Sequence, residues 1–92
     1  MDSPVLEFRP GALDALETAV AAAIGGGARR VVLDLDPMRT LAVDGVRELI
    51  SLLRRSREHG GELALRVTKP DIVQTLRVTA LDRIFAAVTP EA

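Results

Sequence analysis

Ninety-two residues leave room for one hydrophobic core, and 48% apolar with 27% charged residues is a globular balance, not a disordered one. A formal net charge of -1 creates no field that would draw the chain to nucleic acid or an anionic membrane, and only two aromatics, Phe8 and Phe85, argue against base-stacking platforms and large ligand cages. Cysteine is absent, which excludes disulfides, thiol nucleophiles and cysteine-ligated metals and fits a reducing compartment.

Met1-Asp2-Ser3-Pro4 carries no basic segment followed by an apolar run, so no signal peptide is expected. Val5 to Arg9 reads as a short strand with Leu6 and Phe8 on one face, broken by Pro10-Gly11. Leu13, Leu16, Val20 and Ile24 then recur at helical spacing, and Gly25-Gly26-Gly27 ends that helix. The apolar stretch Ala19 to Ile24 is far too short to span a bilayer, so no membrane insertion is expected.

Val31 to Asp36 is the clearest strand: Val31, Leu33 and Leu35 share one face, and Val32, Asp34 and Asp36 the other. Pro37 stops it, and a loop runs to about Val43. Asp44 stands where a helix N-cap belongs, ahead of Val46, Leu49, Ile50 and Leu53. His59-Gly60-Gly61 closes this second helix. Glu62 to Val67 forms a third strand with Leu63, Leu65 and Val67 inward. Pro70 suits the first turn of a third helix carrying Ile72, Val73 and Leu76, and Ile84 to Val88 is expected as a fourth strand.

The order β-α-β-α-β-α-β implies parallel strands joined by right-handed crossovers. Strands buried on both faces read as continuous apolar runs, whereas the first three here alternate. The expected fold is therefore α/β: a two-layer βα superhelix whose mostly parallel four-stranded sheet is covered by helices mainly on one face. No linker divides the chain, so residues 1-92 are taken as a single domain.

The chemistry-bearing residues do not assemble a catalytic set. His59, the only histidine, falls at a helix C-terminus, where a cation suits the dipole. Asp34 and Asp36 face the same way on a strand and read as carboxylates that solvate the open sheet face; no third metal ligand lies near them in sequence. The glycines at 25–27 lack the Lys-Ser/Thr ending of a phosphate loop and follow a helix instead of a strand. Arg54, Arg55 and Arg57 are flanked by Glu48 and Glu58 and read as a solvated face. No enzyme, metal or cofactor is expected. The informative segment is the loop from Asp36 to Asp44 with the helix start that follows, because folds of this kind put function at the carboxyl ends of parallel strands.

Arg30-Val31-Val32-Leu33-Asp34-Leu35, the loop to Gly45, the amphipathic helix, and Gly60-Gly61-Glu62-Leu63-Ala64-Leu65 together resemble the STAS domains of anti-sigma-factor antagonists. Pro70-x-Ile72-Val73-x-x-Leu76-x-x-Thr79-x-Leu81-Asp82-x-Ile84-Phe85 is similar to that family's third-helix segment, and the resemblance runs from Val5 to Val88. It implies a βα superhelix and a non-catalytic, cytoplasmic interaction module in bacterial signalling and transcription control. In the family the loop and helix start usually read Asp-Ser-Ser-Gly, and the serine before the glycine is phosphorylated by a kinase that is itself an anti-sigma factor. The corresponding residues here are Ala42-Val43-Asp44-Gly45: the glycine matches, and Asp44 takes the phosphoacceptor position as a charge that no serine kinase can switch. Thr40, four residues upstream, is not promoted to a phosphosite.

The partner-binding surface implied by the resemblance comprises Met38, Arg39, Thr40, Ala42, Val43, Asp44, Gly45 and Arg47. The expected partner is an anti-sigma factor or kinase-like ATPase; the alternative is an ABC-type ATPase, with the chain acting as a STAS subunit of a transporter or other complex. Family members usually carry an extra strand before the one at Val5 to Arg9 and often a further helix at the end, and neither is expected within residues 1-92. An open sheet edge at the first strand would invite pairing with a second copy as a homodimer.

Overall fold

A computed structural model of the chain describes residues 4–39, 41–85 and 88–89. The elements are β1 (Val5–Glu7), α1 (Leu13–Gly25), β2 (Arg30–Asp34), α2 (Val43–Glu58), β3 (Glu62–Arg66), α3 (Pro70–Val78), a 3-10 turn (Leu81–Arg83) and a two-residue strand, β4 (Val88–Thr89). The sheet runs in chain order, β1-β2-β3-β4, with every pairing parallel. Val5 stands beside Val32, Val32 beside Ala64, and Asp34 beside Arg66. Single hydrogen bonds carry the pairing past the strand ends, from Phe8 N to Asp34 O at 2.9 Å and from Leu35 N to Arg66 O at 2.9 Å.

This register sorts the strand residues into two faces. Phe8, Val31, Leu33, Leu35, Leu63, Leu65 and Val67 all lie on one face, are all fully buried, and belong to one core cluster. Helix residues complete it: Leu16, Val20 and Ile24 from α1, Leu49, Leu52 and Leu53 from α2, Ile72 and Leu76 from α3. Burying a Leu- or Ile-sized side chain is worth about 1.5–3 kcal/mol, so this layer supplies most of the driving force for folding. The other face carries Glu7 and Val5 exposed, Val32 and Arg66 half-buried, and Asp34 and Ala64 buried. The alternation along β2 and β3 is the direct cause of this one-sided core.

Helices α1 and α2 both end in the same way. Gly60 takes φ +85° after α2; its N–H bonds to Arg57 O at 3.0 Å, and the Gly61 N–H bonds to Ser56 O at 2.8 Å. Gly27, at φ +111°, repeats the pattern after α1, with bonds to Ile24 O at 3.0 Å and from Ala28 to Ala23 O at 3.1 Å. These paired bonds satisfy carbonyls that the helix leaves open, and a side chain at the left-handed position would be strained.

Three sequence expectations need correction. Asp44 is not the N-cap of α2: the helix begins at Val43, Ala42 takes the extended cap conformation (φ -87°, ψ 173°), and no side chain caps the helix. Asp44 is the second helical residue, where its charge opposes the positive end of the helix dipole without a capping bond. The strand expected over 84–88 does not begin at Ile84. That residue closes the 3-10 turn with helical angles, Phe85 is buried, and the strand pairing falls on Val88 and Thr89; residues 86 and 87 lie outside the described residues. The inward arc of α2 is also wider than the expected Val46-Leu49-Ile50-Leu53 stripe, all four of which lie in or against the core. Leu52 and Ser56 are fully buried, whereas Val46 and Ile50 are half-buried, because α2 packs against α1 as well as β3.

Candidate functional site

The loop after β2 and the first turn of α2 sit at the carboxyl ends of the strands. Two side chains anchor the loop in the core: Met38 at 5% exposure and Leu41 at 8%. Met38 N donates to Leu35 O at 3.1 Å, closing a turn around Pro37. Gly45 is buried, and a Cβ there would stand 3.0 Å from Leu41 Cδ1 and 3.8 Å from Phe8 Cε2. The absence of a side chain at 45 lets the first turn of α2 settle on Leu41 and Phe8.

The anchored residues push their neighbours outward. Arg39, Ala42, Asp44 and Arg47 are exposed, and Val43 is 68% exposed, an unusual position for a valine at the head of a helix. The structure thus brings Ala42, Val43, Asp44 and Arg47 together on the surface at the start of α2, with Met38 and Gly45 beneath as supports. Thr40 lies outside the described residues.

Two contacts that the sequence reading missed staple this loop to the connection between β3 and α3. Thr68 N donates to Asp36 Oδ1 at 2.7 Å and Thr68 Oγ1 to Asp36 Oδ2 at 3.0 Å, while Lys69 Nζ donates to Met38 O. The Thr68 amide bond, with lesser help from the Thr68 hydroxyl, Arg66 and Lys69, holds the Asp36 carboxyl below its ordinary value of 3.8 against the opposing effect of burial. The parallel register is the signal that could have found the staple: with Asp34 beside Arg66, Asp36 must fall beside Thr68.

The same register explains Asp34. Its Oδ2 accepts from Arg66 Nη2 at 2.8 Å and its Oδ1 from the Asp36 amide at 3.0 Å. The two aspartates therefore do not stand free on an open face; both are committed to structural bonds. A third tie, from Gly11 N to Glu48 Oε1 at 3.2 Å, holds the lead into α1 against α2.

Elsewhere, His59 is exposed at the C-cap of α2. Arg55 reaches Glu17 and Glu58 at 3.9 Å each, and Arg57 bonds Glu62 Oε1 at 3.1 Å and Ile84 O at 2.6 Å. Among the described residues, no three of His, Cys, Asp and Glu gather in a way that could hold a metal ion, and no helix is long and apolar enough to cross a membrane. What the strand ends offer is a surface that mixes exposed apolar and charged side chains, Val43 beside Asp44 and Arg47.

A parallel βα sheet with a core on one face and a stapled loop-helix surface at its carboxyl end defines a class, and the family comparison identifies it. The model of the STAS domain matches residues 11–91, and the chain belongs to that family. It is 33% identical over 70 residues to BtrV of Bordetella bronchiseptica, which is named as an anti-sigma factor antagonist; the match takes in 76% of this chain and 60% of that protein. The chain thus spans about three fifths of the length of that curated relative. Among solved structures, an anti-sigma factor antagonist from Mycobacterium paratuberculosis aligns with a TM-score of 0.65 at 22% identity, covering 92% of this chain and 71% of that one. A STAS domain protein from Planctomyces limnophilus, described as an anti-sigma-factor antagonist, aligns with a TM-score of 0.67 at 21% identity, covering 95% and 82%. At these identities the structural likeness establishes the fold.

Proposed function

We propose that this chain is a non-catalytic, cytoplasmic interaction module of the anti-sigma-factor-antagonist type, which binds a histidine-kinase-like anti-sigma factor through Arg39, Thr40, Ala42, Val43, Asp44 and Arg47, with Met38 and Gly45 holding that surface in shape. The observation that carries the reading is the exposure of Val43 and Asp44 at the first turn of α2, above a Gly45 packed on Leu41 and Phe8. The family membership and the relationship to a protein named as an anti-sigma factor antagonist support it.

Asp44 takes the role of a fixed charge. A phosphoserine carries about -1.5 to -2 charge and an aspartate about -1, so Asp44 holds the surface near its phosphorylated condition without a kinase step. The test is binding of the purified chain, wild type beside Asp44→Ser, to histidine-kinase-like anti-sigma factors encoded in the same genome. The reading expects capture of one of them, at least several-fold tighter with Asp44→Ser. Equal affinity of the two forms would remove the fixed-charge role. Binding to an ABC-type ATPase instead, indifferent to position 44, would replace the reading with a transporter-associated STAS subunit.

A further inference from the structure

The docking surface does not stop at the first turn of α2. Val43, Arg47, Ile50, Arg54 and Arg57 follow one another at spacings of four and three residues, which confines them to an arc of about 80° on the helix, away from the buried Leu49, Leu52 and Ser56. Each of the five is exposed or half-buried. At the far end Ile84, 38% exposed, joins Ile50, Leu53, Arg54, Arg57 and Glu58 around a groove beside α2. The stripe reads apolar, basic, apolar, basic, basic, and no acid occupies any of its five positions, although Glu58 stands at the groove's rim.

Several charges along α2 are already used. Glu48 holds the Gly11 amide and Arg55 is shared between Glu17 and Glu58. Arg57 is tied to Glu62 and to the Ile84 carbonyl, which fixes the wall of the groove. Arg47 and Arg54, in contrast, join no ion pair among the described residues. Two unpaired guanidinium groups flanking Ile50, with Val43 and Ile84 at either end, present a pattern whose complement is apolar residues flanked by carboxylates.

From this complementarity we infer that α2 receives an acidic amphipathic helix of a partner protein, laid along Val43, Ile50 and Ile84 with its carboxylates on Arg47 and Arg54. A helix in a groove offers apolar anchors at three-, four- and seven-residue steps, the steps of this stripe. A nucleic acid fits poorly, since the stripe interleaves aliphatic side chains instead of aromatics and the chain's net charge is -1. A second copy is a poorer source of the acids: Glu17, Glu48 and Glu58 are engaged, and the exposed Asp14, Asp44 and Asp71 stand singly on three different helices instead of in a row. The inference rests on the proposed docking role of the α2 start and adds the chemistry of what docks.

The probe is a capped synthetic peptide of about 18 residues with leucines at helical spacing flanked by glutamates, titrated into the full chain labelled with nitrogen-15. Its controls replace every glutamate by lysine, or every leucine by serine. The expected result is amide shift changes confined to 43–57 and Ile84, with binding at least tenfold weaker for either control. The double substitution Arg47→Glu with Arg54→Glu, whose fold is checked by its own spectrum, should lose the acidic peptide at least tenfold and gain the lysine peptide. Equal binding of the glutamate and lysine peptides, shifts centred elsewhere, or no shifts at millimolar peptide would overturn the inference. So would concentration-dependent stripe shifts in the free chain accompanied by a dimer mass, which would make a second copy the occupant. The two readings fail separately: an anti-sigma factor that binds wild type and Arg54→Glu within twofold removes the stripe and leaves the docking role, because Arg54 lies outside the start of α2. Peptide binding with no anti-sigma factor bound does the reverse.

Discussion

Asp36 and Thr68 lock together the carboxyl ends of β2 and β3: both oxygens of one carboxylate accept from one residue, the amide at 2.7 Å and the hydroxyl at 3.0 Å. With Lys69 bonded to the Met38 carbonyl, this makes the loop before α2 and the connection before α3 a single unit. The proposed docking surface is thereby held by the sheet and by two core anchors, Met38 and Leu41.

The staple has a pH signature. Asp36 ionises below its ordinary value in the folded chain, chiefly because the Thr68 amide bonds its charged form. A depressed carboxyl contributes stability that is complete above the unfolded value of 3.8 and is lost as pH falls through the folded value. Urea unfolding between pH 2 and 7 should therefore show an acid loss of stability that is smaller in Asp36→Asn. At pH 7, Asp36→Ala should cost about 1–2 kcal/mol, the value of two bonds to a charged acceptor near the surface.

Gly61 is required for close approach. A Cβ at this position would lie 2.6 Å from Ile24 Cδ1 and 2.8 Å from Ile24 Cγ1, and Ile24 is a buried residue of α1. Gly61→Ala forces Ile24 out of its place and should destabilise by about 1–3 kcal/mol. The pair Gly61→Ala with Ile24→Val, which trims the clashing methyl, should recover part of the loss in a chemical-denaturation series.

Ala80 follows the C-cap of α3 with φ 60°, a left-handed conformation adopted by no other non-glycine residue among those described. Holding alanine there costs about 1–2 kcal/mol, partly offset by the greater freedom glycine has when unfolded. Ala80→Gly should raise the unfolding free energy by about 0.5–1 kcal/mol. Thermal and urea unfolding would both register the gain.

Much of the fold is written in local periodicity. Val31, Leu33 and Leu35 alternate with polar neighbours because their strand has one buried face, and Leu16, Val20 and Ile24 repeat because α1 has one buried stripe. What the pattern could not carry was set by neighbours distant in the chain. Val46 and Ile50 are apolar and fit the helical stripe, yet contact with α1 turns Leu52 and Ser56 inward and leaves them at the edge. The helix start was misassigned because aspartate suits both the cap and the first turn, and only the backbone angles of Ala42 distinguish the two. Near the C-terminus, Ile84 and Phe85 look like strand residues in sequence, but the 3-10 turn at Leu81–Arg83 holds Ile84 in a helical conformation. The site was legible as a loop at a strand end; its staple to Thr68 and Lys69 needed the register of β2 against β3.

The central claim is that the start of α2 is the docking surface, and Val43 tests it most directly because it is 68% exposed and supports nothing beneath it. Val78 on α3, 75% exposed, is a matched control remote in sequence from the site. The decisive measurement is a calorimetric titration of the histidine-kinase-like anti-sigma factor with wild type, Val43→Asp and Val78→Asp, each checked for an unchanged unfolding midpoint. Val43→Asp should weaken binding about 30-fold, as loss of an apolar anchor does, and Val78→Asp should bind as wild type. Affinity unchanged by Val43→Asp, or lost equally in both variants, would contradict the central claim.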